Sequence, residues 1–299
     1  MTASTPARME VLAAVPEDGA HATSVLSVPG PVTPPRPAPL WPARWGRRLL
    51  PWALPAAVVA AWQLWGHAAG IGGLPTPWRV ARTGAQLVQS GELFHHAAVS
   101  LRRALLGLLL GGGAGLLLGL ANGVWSLSER LTDTSVQMIR NVPHLALIPL
   151  VILWFGLGEE SKVFLVALGV LFPMYINTFH GVRAVDETLL EMARLYGLRG
   201  RALFAQVLLP GALPSILVGL RFALGVMWLS LIVAETIAAD AGIGYLAMSA
   251  REFMQTDVVI LSILLYALIG KLADVAARAV ERRCLSWNAR LGAAGGEAR

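Results

Sequence analysis

Charge is scarce in this chain. Only 14% of its residues are Asp, Glu, Lys or Arg, where a soluble domain carries about a quarter. Hydrophobic residues make up 56%, and the mean hydropathy is +0.61. This composition excludes an ordinary soluble enzyme and points to a protein embedded in a membrane. Cysteine is nearly absent: Cys284 stands alone, which excludes an intrachain disulfide and a cysteine-based metal cluster. The only lysines are Lys162 and Lys271. A phosphate-cradling loop needs a lysine after a glycine-rich turn and a Ser or Thr behind it, and neither Ser161-Lys162 nor Gly270-Lys271-Leu272 supplies that. There is no HExxH and no Ser/His/Asp constellation. His21, His67, His95, His96, His144 and His180 are read as having no carboxylate at metal-binding spacing, and the His95-His96 pair as an interfacial polar step. The chain is therefore expected to be no enzyme and to bind no metal or cofactor itself. If the protein does work, the energy comes from elsewhere.

The basic excess, +6 with a pI near 10.2, comes without the interleaved aromatic and basic residues of single-strand binders. No nucleic-acid partner is expected; Lys and Arg instead report orientation in the bilayer, because they collect on cytoplasmic loops. Six apolar stretches are long enough to span, at about 20 residues each: 49–69, 101–124, 134–156, 161–181, 213–238 and 257–277. Arg44, Arg47 and Arg48 precede the first, among Trp41, Trp45 and Trp52, and favour a cytoplasmic N-terminus. Six spans return the C-terminus to the same side, where Lys271, Arg278, Arg282, Arg283 and Arg290 agree, and put Arg183, Arg194, Arg199 and Arg201 inside as well. Residues 1–44, rich in Ala, Pro, Ser and Thr, read as a disordered cytoplasmic tail, extended over Pro31–Pro42. Residues 286–299 read as a second cytoplasmic tail.

Several features of the spans invite a role. Gly107, Gly111, Gly115, Gly119 and Gly123 recur at every fourth position of the second span. Such small-xxx-small repeats let another backbone approach closely, with a neighbour in the same chain as the default. Arg102 and Arg103 sit at the outer end of that span, against the positive-inside bias. They read either as arginines snorkelling to phosphate head groups or as a positive rim for an anionic substrate. Ionisable and polar residues inside spans are candidates for a transport pathway: Arg140, Asn141 and His144 in the third, Tyr175, Asn177 and Thr178 in the fourth, and Arg221 in the fifth. Interhelical hydrogen bonding or snorkelling is the competing account. Glu235, near the outer end of the fifth span, reads as pairing with a positive group or meeting an external protein. Pro143, Pro149 and Pro173 are expected to shape helices.

Between the fourth and fifth spans lies a polar, basic island, EMARLYGLRGRALFAQVLLP, from Glu191 to Pro210. Thr188-Leu-Leu-Glu191 has capping-box spacing, with Asp186 as a rival N-cap. Gly197 fits the left-handed position that ends a helix, and Arg199 to Leu208 resumes with amphipathic character before Pro210 and Pro214 mark entry to the fifth span. The result is either a helix–Gly–helix knob for a groove on a soluble subunit or a surface loop with satisfied caps.

The spacing E-x-A-x3-G-x9-V-x-L-P resembles the EAA loop of permease subunits in bacterial ABC importers, with Met192 and Val207 as mild departures. The stretches LTDTSVQMIRNVPHLALIPLVILWFGLGEESK, LFPMYINTFHGVR, LPGALPSILVGLRFALGVMWLSLIVAETI and GIGYLAMSAREFMQTDVV are similar to the nitrate/sulfonate/taurine branch, above all to aliphatic sulfonate permeases, over about 45–285. The resemblance implies an all-α polytopic membrane protein, a six-helix type I ABC importer transmembrane domain over 45–285 with a coupling loop at 186–210. It implies a homodimer in the bacterial inner membrane, two ABC ATPase subunits and a periplasmic binding protein as partners, and an aliphatic sulfonate, taurine, nitrate or another small anion as cargo. Glu191, Ala193, Arg194, Gly197, Arg199 and Pro210 would couple to the ATPase. An ion-coupled secondary transporter is the rival class, but intramembrane carboxylates and internal repeats are not evident.

Overall fold

The computed structural model describes residues 41–68 and 74–286. Most of the N-terminal tail and nearly all of the C-terminal tail lie outside them. The chain divides into two units: Met1–Leu54, of which only the helical residues from Trp41 onward are described, and Pro55–Arg299, which holds the rest of that helix and every later element.

In chain order the helices are α1 Trp41–Ala68, α2 Pro77–Gln89 and α3 Glu92–Gly107, then a π-turn Leu108–Gly112 and α4 Gly113–Val124. Next come α5 Ser126–Arg140, a 3-10 turn His144–Leu147, α6 Ile148–Phe155, α7 Glu159–Arg183, α8 Glu187–Leu195 and α9 Gly200–Leu203. A second π-turn, Phe204–Leu208, leads into α10 Leu209–Ala238, followed by α11 Ile243–Glu252 and α12 Thr256–Cys284. Chemistry at the ends suits the helix dipole: α7 opens on Glu159 and Glu160 and closes on His180 and Arg183, and α12 opens on Asp257 and closes on Arg282 and Arg283. Pro77 occupies the first turn of α2, where its missing N–H costs nothing, and the Thr76 hydroxyl accepts from the Arg79 N–H.

Among the described residues four helical stretches are long and apolar enough to cross a membrane: Glu92–Val124, Glu159–Arg183, Gly200–Ile237 and Thr256–Cys284. A fifth arises if α5 and the His144–Phe155 segment form one span. That pair replaces the single helix expected over 134–156 with two that meet at an 82° bend. Pro143 has no N–H to continue α5 and pushes Val142 toward extended backbone. Polar α5 buries no residue, whereas α6 is apolar and buries Ile148 and Val151. The fifth span also differs from expectation. Pro210 and Pro214 do not mark its start, since the helix runs unbroken from Gly200 to Ile237. The wide turn at Phe204–Leu208 lies immediately before Pro210, where an i→i−4 bond is lost, and the Leu209 N–H donates instead to the Phe204 carbonyl.

The core forms around α7, which packs against α4 along one side and α10 along the other. Ala104, Val166, Val170, Ala223, Met227, Leu231, Ile243 and Tyr266 meet at its centre, drawn from α3, α7, α10, α11 and α12. The five glycines lie along the α3–α4 contact with α7. A Cβ on Gly111 would stand 1.9 Å from the Ala167 carbonyl oxygen, and one on Gly115 2.4 Å from that of Leu171. A Cβ on Gly107, Gly119 or Gly123 would stand 2.4, 2.7 or 2.7 Å from the side chain of Val166, Thr178 or Val182 in turn. A strict four-residue period drifts by about 40° per step on an α-helix. The π-turn holds more residues per turn and rotates the row back, so all five face one neighbour.

Candidate functional site

Two polar places among the described residues lie at opposite ends of the Gly200–Ile237 helix. At the Gly200 end, α8 begins at Asp186, whose carboxylate accepts from the Thr188 N–H at 2.8 Å. Asp186 therefore caps α8, and Thr188 lies inside it; the capping box beginning at Thr188 is not formed. At the other end of α8 the Gly197 N–H donates to the Arg194 carbonyl and the Leu198 N–H to the Ala193 carbonyl, both at 3.0 Å. This is the paired-bond pattern of a Schellman motif, with Gly197 at φ +86°. A second glycine, Gly200, turns the chain at φ +52° into α9.

The result is a short helix projecting from the bundle, with Ala193 buried beneath it and Leu195 and Tyr196 88% and 83% exposed. Glu191, Arg194 and Arg199 are exposed, and Pro210 stands in the first turn of α10. A cleft of about 460 Å³ runs under the knob, lined by Val182, Arg183, Leu190, Arg194, Leu203 and Leu208. Next to it Arg183 pairs with Glu129 of α5 and lies over the Phe179 ring.

The pathway candidates do not gather into one site. Arg140 and Asn141 are exposed at the break after α5, and His144 follows the break, its Nε2 2.9 Å from the Ser230 hydroxyl on α10. Tyr175 is buried in a polar cluster, accepting from the Asn122 amide and donating to Asp133, both at 2.9 Å. The Asn177 amide donates to the Pro173 carbonyl of its own helix. Arg221 reaches Glu281 at 3.4 Å and Asp274 at 3.8 Å on α12. Among the described residues no hydrogen bond or ion pair joins any two of these six. Thr178 is buried, with its hydroxyl unpartnered.

The far end of α10 holds a buried knot. Glu235, 1% exposed, accepts from the Arg103 guanidinium at 2.9 Å, the Ser100 hydroxyl at 2.7 Å, the Tyr266 hydroxyl at 2.8 Å and the Gly244 N–H at 2.9 Å. Arg103, 2% exposed, also binds Glu159 through two nitrogens and the Ala241 carbonyl through a third. Ser100 accepts from the Ile243 N–H, and the His96 Nδ1 from the Gly242 N–H. Lys162 donates to the Leu157 and Gly158 carbonyls beside Glu159.

The knot corrects the reading of Arg102 and Arg103 as a matched pair. Consecutive helical residues stand about 100° apart, so Arg102 faces outward and Arg103 inward, where it neither snorkels nor forms a rim. Glu235 pairs with a positive group, one of the two options the sequence left open. The histidine reading also passed over Glu92, one turn before His96 and 3.8 Å from its ring. Ser100, Tyr266, Gly242 and Gly244 were missed outright. The signal available was Ser100 and Arg103 one turn apart inside a span, facing a G-x-G just beyond the helix that ends after Glu235.

Comparison with known proteins agrees with this architecture. The family model of binding-protein-dependent transport system inner membrane components matches residues 108–286. The aliphatic sulfonates transport permease protein SsuC of Escherichia coli (strain K12) is 61% identical over 82% of this chain and 94% of its own length. Its Bacillus subtilis (strain 168) counterpart is 46% identical over 81% and 88%. The taurine transport system permease protein TauC of E. coli is 37% identical over 72% and 80%. A crystal structure of an amino acid ABC transporter shares the fold, with a TM-score of 0.56 at 19% identity over 67% of this chain and 97% of that one. The chain belongs to the family of binding-protein-dependent transport system inner membrane components and is the multi-pass permease component of an ABC importer.

Proposed function

We propose that two copies of this chain form the translocation pathway of an importer for aliphatic sulfonates, driven by two ATPase subunits docked at the α8–Gly197–α9 knob. The cargo rests on one observation, the 61% identity to an aliphatic sulfonate permease across 94% of that protein. The docking role is supported by the knob itself: exposed Leu195 and Tyr196 on a helix closed at both ends by its own bonds suit a hydrophobic groove on a soluble partner. Glu191, Ala193, Arg194, Gly197, Arg199 and Pro210 build or edge that contact.

In this reading the knob and both termini are cytoplasmic, and a periplasmic binding protein delivers substrate at the opposite face. α1 and the bent α5–α6 pair complete six spans, and residues 1–44 and 286–299 are tails. ATP closes the ATPase dimer, and the knobs move with it, shifting the spans between two states with different affinity for the closed motor. A sulfonate stays anionic at cellular pH. The broken α5–α6 pair, with the exposed head groups of Arg140 and Asn141 and the His144 ring behind them, is a fitting place for it, since transport sites favour interrupted spans. Tyr175, Asn177 and Arg221 are secondary candidates because each already has a partner.

A strain deleted for this gene and supplied with alkanesulfonates, taurine or nitrate as sole sulfur or nitrogen source tests the cargo. Loss of growth on alkanesulfonates alone is expected; loss confined to taurine or to nitrate reassigns it. Failure to co-purify an ATPase subunit would overturn the docking role.

A further inference from the structure

The knot around Glu235 joins five parts of the chain at one point: α3 through Ser100 and Arg103, the first turn of α7 through Glu159, the end of α10 through Glu235 itself, the connection and first turn of α11 over 239–244 through their backbone, and α12 through Tyr266. The connection is shaped to the carboxylate. A Cβ on Gly242, which sits at φ +119°, would stand 2.5 Å from the Glu235 carboxyl carbon, and one on Gly244 2.5 Å from the Glu235 Cβ. Apolar side chains would hold these helices together without the cost of desolvating two charges. What directional, charge-assisted bonds add is one fixed arrangement of the parts they join.

The other end of the same helix is built for the opposite purpose. Gly200 to Ile237 is one continuous helix of 38 residues, about 57 Å at 1.5 Å per residue. A π-turn and two prolines fall within its first 15 residues, about four turns, and none of its residues before Ala212 is buried. A rod pinned at one end and only partly buried over its first turns at the other responds to a push there by tilting or bending, not by sliding.

We infer that Arg103 and Glu235 are positioning residues that form the fixed fulcrum of the transport cycle, converting displacement of the α8–α9 knob into tilt of α10. The inference rests on the coupling role proposed for that knob. The test uses the complete transporter, with its ATPase and binding protein, on a Cys284→Ser background and with label pairs in one of the two permease copies. Spin labels at Leu195 and Val280 report the knob, and labels at Leu101 and Ile237 report the pinned end; all four side chains are exposed.

On adding ATP and vanadate, the knob pair is expected to shift by several ångströms while the far pair stays within about 1 Å. A knob pair that does not respond overturns the coupling role and this inference with it. A knob pair that responds together with a far pair that moves equally overturns the fulcrum alone. In uptake assays Glu235→Gln should lower transport about tenfold while basal ATP hydrolysis persists, a loss of coupling between two sites. Should that variant fail to assemble, Tyr266→Phe removes a single hydrogen bond and should lower uptake in the same direction. Wild-type uptake in the variant measured, or hydrolysis falling in parallel with uptake, contradicts the fulcrum.

Discussion

The two ends of α10 are stabilised by different means. At the knob, order comes from bonds within about a dozen residues: Asp186 to the Thr188 N–H, Gly197 to Arg194, Leu198 to Ala193. At the knot, partners of one carboxylate come from positions 100, 103, 244 and 266. The knob leaves its large side chains in solvent, and the knot hides two charges from it. A helix closed by its own caps keeps its shape while it moves as a unit. A junction assembled from five elements keeps its shape only while all five stay together.

The largest expected effect therefore falls at the knot. Glu235→Leu leaves Arg103 with Glu159 as its one carboxylate and takes the acceptor from the Ser100 and Tyr266 hydroxyls and the Gly244 N–H; it should cost about 3–5 kcal/mol, read as a fall in the unfolding midpoint of the detergent-solubilised complex. Replacing both partners, Arg103→Leu with Glu235→Leu, removes the half-paired buried charge and should recover part of that stability. Uptake should not recover with it. Full recovery of uptake in the double variant would make the knot ordinary packing and dissolve the contrast with the knob.

The next effect lies between the two ends. Gly111→Ala puts a methyl group against the Ala167 carbonyl and should cost about 1–3 kcal/mol by overpacking α3–α4 against α7. Gly113, two positions on, has open space around its missing Cβ; Gly113→Ala should be neutral or stabilise by up to about 1 kcal/mol. Thermal unfolding of the two variants side by side checks the pair. Equal destabilisation would mean that the close approach of the backbones is not what these glycines serve.

This difference in range decides what could be read from the sequence. Helix existence, the glycine row and the ending of α8 at Gly197 depend on spacing along the chain, and they are legible there. The break after Arg140 was only half legible: Pro143 marked a shaped helix, but an 82° bend depends on α5 being too polar to pack, which tertiary contact decides. The partners of Glu235 were only faintly legible: the Ser100–Arg103 spacing and the G-x-G at 242–244 stand in the sequence, but nothing in a linear reading brings residue 100 to residue 235, or distinguishes Arg103 from Arg102 once a span is drawn as a block. Pro210 misled for the opposite reason. It is a helix stop in isolation, yet a π-turn just before it lets the helix continue.

At the knob, replacement of Gly197 tests function more than stability. With φ at +86°, Gly197→Ala should cost about 1–2 kcal/mol locally. Gly197→Pro also fixes φ near −65° and deletes the N–H bonded to Arg194. The proline variant should insert in the membrane at normal levels and fail in uptake, as should Glu191→Lys, which reverses a charge on the exposed face. Membrane fractionation together with substrate uptake reads both, and normal uptake in either would count against docking at this surface.

The smallest effect decides between two residues two positions apart. Asp186 accepts from the Thr188 N–H at 2.8 Å, and Thr188 makes no cap of its own. Losing an N-cap side chain costs about 1 kcal/mol, and the Asp186 carboxylate also lies at the positive end of the α8 dipole. Asp186→Ala should therefore loosen α8, seen as faster amide hydrogen exchange over 187–191, and lower uptake modestly. Thr188→Ala should leave both unchanged, since its hydroxyl has no cap bond to lose. If Thr188→Ala proved the more damaging, α8 would start two residues later in the working transporter than it does here. The capping box with Glu191 would then be the form the knob takes against its partner.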